Sequence, residues 1–145
     1  MLAQSRVQEI LGGPQVLGRK VSNLADFDAL VRDGLPWASA RHVKEALDLS
    51  DELFASWLET SQRTLARWKK SRPKLSLATS DRLYRLVSIV VLACEVFEEL
   101  DAAMRWLRRP QVGLGGRVPL ELAKTEPGAR EVENLLGRLE YGVVS

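Results

Sequence analysis

The sequence predicts an all-α protein, with two helical parts joined by a long helix, and three stretches predict it. From Leu47 to Lys70 the apolar residues Leu53, Phe54 and Trp57, then Leu65 and Trp68, recur at helical spacing either side of a short break. From Asp81 to about Glu98, Leu83, Leu86, Val87, Val90, Cys94 and Phe97 keep the same period. Near the end, Val132, Leu135, Leu136 and Leu139 share one face. With 145 residues, 46% of them hydrophobic and 28% charged, the chain has the material for one compact domain or two small helical ones, and disorder is not expected.

Residues 1–21 hold a short helix over Gln4–Leu11 that Gly12-Gly13-Pro14 ends. Ser22 or Asn23 caps the next helix, whose stripe is Leu24, Phe27, Leu30 and Val31, and Gly34 with Pro36 stops it. Val43, Ala46 and Leu47 form the inner face of a helix over 40–47. Ser50 caps a helix over 51–58, and Ser61 caps one over 62–71, its hydroxyl taking an N–H of the first turn that has no helical partner. Pro73 ends that helix, because it has no N–H to give and its ring clashes with the preceding turn. The three helices form a three-helix core. Between the last two, a left-handed backbone at Glu59 would cost about 1 kcal/mol relative to glycine, which predicts a turn of some other geometry.

A linker, Lys74 to Ser80, precedes the long helix, with Ser80 as its cap. Ile89 and Leu92 widen its apolar stripe, so it is expected to be buried on more than one side, between the halves of the chain or between two copies. A helix over Asp101–Arg108, a glycine-rich turn at Gly113, Gly115 and Gly116, a short helix at Pro119 and the last helix complete the chain. The predicted division is an N-terminal extension (1–21), a helix-turn-helix domain (22–79), a connecting or dimerisation helix (80–98) and a small helical domain (99–145).

Charge localises the first candidate site. Residues 1–50 carry six basic and six acidic side chains, 51–110 eleven and eight, and 111–145 four and five. Within the middle segment, Arg63, Arg67, Lys69, Lys70, Arg72 and Lys74 follow one another with no acidic residue between them. A basic second helix in a helix-turn-helix pair points to double-stranded DNA. Gln62 and Arg63, in the first turn, suit base edges, Gln toward adenine and Arg toward guanine, with Ser61, Thr64 and Arg67 beside them. Lys69, Lys70, Arg72 and Lys74 lie later and suit phosphates. Trp68 shares a face with Leu65 and reads as core.

Thr60-Ser61-Gln62-Arg63-Thr64-Leu65-Ala66-Arg67-Trp68 resembles the turn and recognition helix of Xre-type helix-turn-helix proteins. Ser80 to Leu86, Ala102 to Leu107, Leu114-Gly115-Gly116, Pro119 to Leu122, Thr125, Gly128 and Leu139-Glu140-Tyr141-Gly142-Val143 resemble the rest of the Xre/MbcA/ParS antitoxin family, so the likeness runs from about Leu35 to Ser145. Where many members have Phe-Gly after the long helix, this chain has Phe97-Glu98. The resemblance implies an antitoxin that neutralises a toxin encoded beside it, commonly a RES-domain toxin that consumes NAD, by covering its active-site entrance. It also implies a homodimer that represses its own operon. Leu139, Tyr141, Gly142, Val143, Val144 and Ser145 would meet the toxin. Spacing alone says only that the chain ends without bulk or charge, a shape that can enter a cleft and equally one that frays.

Other readings carry less. Cys94 is the one cysteine, so no internal disulfide or cysteine metal cluster forms, and its neighbours make it a small buried apolar residue. His42 has no second histidine with which to hold a metal. Leu114-Gly115-Gly116 lacks the rest of any phosphate-binding fingerprint. Glu98, Glu99 and Asp101 read as a capping or solvated cluster. No cofactor, metal or catalysis is expected. The most apolar run, Leu86–Cys94, is too short for a membrane span of ~20 residues and no apolar leader opens the chain, which together predict a cytoplasmic protein. The rival reading is a stand-alone helix-turn-helix transcription regulator whose C-terminal half senses a ligand or dimerises.

Overall fold

The computed structural model describes residues 2–142. Among them are ten α-helices and one 310 turn, with two isolated antiparallel bridges, Pro36 with Lys74 and Gln111 with Arg117, in place of a sheet. The chain divides into two compact units, one running to Val87 and the other starting at Ser88.

The first unit holds α1 (Leu2–Ile10), α2 (Gly13–Leu17), α3 (Leu24–Asp33), α4 (Trp37–Ala46), α5 (Asp51–Trp57), α6 (Gln62–Ser71) and the start of α7 (Leu77–Phe97). Gly12-Gly13-Pro14 ends the first helix, but Pro14 also opens α2, which the sequence does not predict, since the first helical turn has no use for its missing N–H. Val7, Leu11, Leu17 and Val21 are buried, so residues before 22 contribute to the core of this unit. Asn23 is the cap of α3, accepting from the Asp26 N–H at 2.8 Å. Leu24 is exposed and does not belong to the buried stripe of Phe27, Leu30 and Val31, because it lies in the first turn of α3, and Ala46 likewise faces solvent while Ala40 is buried.

A short extended clasp closes the unit. Leu75 N–H bonds Leu35 O at 2.8 Å and Trp37 N–H bonds Pro73 O at 3.1 Å, so the start of α4 is tied to the chain leaving α6. Gly34 makes room for it: a Cβ there would lie 2.3 Å from Leu75 O.

The long helix begins four residues earlier than the sequence suggests. Its first turn is held by Ser76, whose Oγ accepts from the Thr79 N–H at 3.1 Å. Ser80 is not the cap: its buried Oγ accepts from Leu35 N–H at 2.8 Å, a partner that only the tertiary fold supplies. Leu83, Leu86, Val87, Ile89, Val90, Val91 and Cys94 are all buried in the single chain, which accounts for the wide apolar stripe without a second copy.

The second unit continues α7 and adds α8 (Leu100–Leu107), a 310 turn (Val112–Leu114), α9 (Pro119–Leu122) and α10 (Glu126–Glu140). α7 leaves through Glu98, whose φ of 70° is one that glycine adopts more readily, its N–H closing on Cys94 O at 2.7 Å. α10 is capped by Thr125, whose Oγ1 accepts from the Gly128 N–H at 3.1 Å. Gly128 is forced by packing, since a Cβ would lie 1.8 Å from Leu122 O.

Candidate nucleic-acid and partner interfaces

The turn and α6 build the first candidate site. Phe54, Trp57 and Leu58 of α5 and its end are buried, as is Leu65 of α6, and Trp68 packs edge-on against the Trp37 ring at 6.3 Å, so Trp68 belongs to the packing as expected. The turn between the helices is the left-handed one that the sequence argued against: Glu59 has a φ of 53°. The hydrogen bonds Glu59 N–H to Ser56 O at 3.1 Å and Thr60 N–H to Ala55 O at 2.9 Å close the end of α5, and the Glu59 carboxylate pairs with Arg82 at 2.6 Å. The strain of about 1 kcal/mol is therefore carried by neighbours rather than avoided.

Ser61 caps α6, accepting from the Thr64 N–H at 3.0 Å and donating its hydroxyl to Thr64 Oγ1 at 3.0 Å. With Leu65 turned inward, Arg63, Arg67 and Lys70 are exposed on the outer face, Gln62 and Lys69 are exposed beside Leu65 on the side toward α4, and Arg72, in a left-handed conformation, closes the helix with its N–H on Trp68 O at 2.7 Å. Arg63, Thr64, Ala66, Arg67 and Lys70 line a shallow depression of about 370 Å³ on the outer face. None of Arg63, Arg67, Lys69, Lys70 and Arg72 makes an ion pair among the described residues, whereas Arg19, Arg32, Arg41, Lys44, Arg82 and Arg85 of the same unit all do. The residue that the sequence did not single out is Arg82. Its only local signal was its place in the stretch Ser80 to Leu86.

In the second unit the glycine turn is rigidly built. Gln111 Nε2 donates to Trp106 O at 2.9 Å, Gly116 N–H bonds Gln111 O at 2.9 Å, and Leu114 is buried beneath the turn. Val112 at its tip is 96% exposed. At the end of α10, Leu139 is half-buried, Tyr141 is 81% exposed and Gly142 turns the chain with a φ of 73°. Val143, Val144 and Ser145 lie outside the described residues. Cys94 is buried, as its neighbours predicted, and among the described residues no three His, Cys, Asp or Glu side chains are grouped to hold a metal. Among the same residues, no helix is long and apolar enough to cross a membrane.

A capped, cationic second helix behind a tight turn, followed by a separate helical unit, defines a helix-turn-helix protein with a second functional domain. Comparison with known proteins makes both parts specific. Residues 26–88 match the model of the antitoxin Xre-like helix-turn-helix domain, and residues 92–142 match that of the antitoxin Xre/MbcA/ParS C-terminal toxin-binding domain. Antitoxin Xre of Photorhabdus laumondii subsp. laumondii is 37% identical over 134 residues, which covers 90% of this chain and 89% of that protein. Antitoxin Xre of Yersinia enterocolitica is 38% identical over 84 residues, 57% of each chain, and that of Pseudomonas putida is 36% identical over 81 residues, 55% of this chain and 50% of the relative. The chain belongs to the Xre antitoxin family, and carries both its DNA-binding and its toxin-binding domain.

Proposed function

We propose that this antitoxin neutralises a RES-domain, NAD-consuming toxin encoded beside it by laying residues 139–145 over the toxin's active-site entrance, and represses its own operon as a DNA-bound homodimer. The observation that carries the DNA half is the set of five exposed α6 cations left without an acidic partner. Without a carboxylate to neutralise them, they are open to phosphates. Gln62 and Arg63 stand in the first turn, where a recognition helix meets base edges, and Arg67 stands one turn on. Lys69, Lys70 and Arg72 take the backbone.

The toxin half rests on the family match over residues 92–142 and on the exposure of Tyr141. Tyr141 is 81% exposed at the end of the last helix, and Gly142 turns the chain beyond it with a φ of 73°. Neither role requires catalysis by this chain, and both are carried out in the cytoplasm, where the DNA is.

Co-expression with the product of the adjacent gene, with growth and tandem purification as readouts, tests the reading. A stable complex that restores growth is expected, and removal of residues 141–145 should abolish rescue while leaving operator binding intact. Rescue by the truncated chain would overturn the occlusion mechanism. No toxicity and no complex would overturn the antitoxin assignment for this partner.

A further inference from the structure

The turn ahead of α6 is held in a conformation that L-residues avoid, and the holding group comes from a different helix. Glu59 has a φ of 53°, and its carboxylate meets Arg82, in the second turn of α7, at 2.6 Å. Arg82 is the more sheltered partner, its side chain 27% exposed against 65% for Glu59. Its place on α7 is fixed from both sides. Ser80 Oγ takes the Leu35 N–H at 2.8 Å, and Tyr84 packs on Phe27 with ring centroids 5.3 Å apart. The pair is therefore a brace between a rigid helix and a strained turn, unlike an ordinary surface ion pair between two mobile chains.

What the brace controls lies next in the chain. Two residues beyond Glu59, Ser61 caps α6, and Gln62 and Arg63 project from the helix's first turn. If Glu59 leaves the left-handed region, the cap and the first-turn side chains turn with it. The Glu59 carboxylate also sits beside a helix built to face phosphates, and Arg82 covers its charge. We propose that Arg82 is a positioning residue for DNA binding, acting through Glu59 to hold the turn that sets the entry of α6. The proposal rests on the DNA-binding reading of α6 and extends it to a residue outside the α5–α6 pair.

A double-mutant cycle on the full chain tests it, using as probe a duplex of the region upstream of the chain's own reading frame. Arg82→Ala should weaken binding about three- to tenfold, while the same change in a Glu59→Gly background should have no effect, because glycine adopts the left-handed turn unaided. Amide exchange at Thr60 and Thr64, measured without DNA, should quicken in Arg82→Ala and slow again in the double variant. Equal losses in both backgrounds, with the slope of log K against log salt reduced by about 0.9, would make Arg82 a direct phosphate contact and overturn the proposal. An Arg82→Ala chain that binds as tightly as the wild type would overturn it too. Wild-type chain that binds neither this duplex nor one of unrelated sequence would defeat the DNA reading itself, a result distinct from either.

Discussion

The two units treat their surface charges differently. In the first unit Arg19 pairs with Asp33 at 2.8 Å and Lys44 with Asp51 at 2.9 Å, while Arg63, Arg67, Lys69, Lys70 and Arg72, on α6 and its C-cap, make no ion pair among the described residues. In α9, α10 and the turn before them, three of the four cations are paired, Arg138 being the fourth. Arg117 pairs with Glu131 at 3.3 Å, Lys124 with Glu121 at 2.7 Å and Arg130 with Glu126 at 3.0 Å, and what is left conspicuous is apolar, Val112 and Tyr141. A surface meant for a polyanion withholds counter-charge, since every internal pair would have to be broken to make a phosphate contact. A surface meant for a protein cleft neutralises its charges, because a buried unpaired charge would cost more than the contact returns.

Gly128→Ala should break that comparison most severely. A Cβ placed 1.8 Å from a backbone carbonyl cannot be relieved by a rotamer change, so α9 and α10 must part, at a cost of about 3 kcal/mol or more. Toxin neutralisation should fail while the operator is still bound. Next, Arg63→Ala with Arg67→Ala should weaken operator binding by about a hundredfold, roughly 3 kcal/mol, and leave the toxin complex untouched in a pull-down. A single Lys70→Gln is smaller and more diagnostic. It should lower affinity on all sequences alike and reduce the salt slope by about 0.9, whereas Lys124→Gln, in the second unit, should leave the slope where it was.

Two stability experiments sharpen the same contrast at lower amplitude. Glu98 makes no ion pair among the described residues, so Glu98→Gly should raise stability by about 1 kcal/mol, seen as a higher Tm. Glu59→Gly relieves the same backbone strain but gives up Arg82, and should gain less. Smallest of all is the acid limb. The Arg19 hydrogen bond and charge hold the Asp33 carboxyl below its ordinary value of 3.8, so it adds stability at higher pH that fades as pH falls through its lowered pKa. Asp33→Asn should remove that contribution above about pH 4 and converge with the wild type in strong acid.

Much of the architecture was legible because its signals are local. Ser50 and Ser61 cap helices where their hydroxyls can reach the third N–H, and Pro73 and Gly34 stop them. The α6 cations were legible for the same reason, being adjacent in sequence and on one helix. What escaped depends on partners far along the chain. Ser76 and Ser80 are equally good caps as letters, and the choice falls to Ser76 only because the Leu35 amide claims Ser80. The left-handed turn at Glu59 looked too costly until Arg82 stood against it. Leu24 kept the helical period and still faces water, because periodicity identifies a face and not whether anything covers its first turn. The last residues of the candidate toxin contact, Val143 to Ser145, were read from resemblance, and their role is decided by the truncation experiment.

The uninterrupted α7 bears on how such a protein is dismantled. Where the chain passes from one unit to the other, at Val87 and Ser88, there is helix rather than loop, and Val87, Ile89, Val90 and Val91 are buried. Proteases cut extended, accessible backbone, so at this boundary they meet no ready substrate until the helix has unwound. Limited digestion should therefore not release a free first unit that lingers after the second is gone.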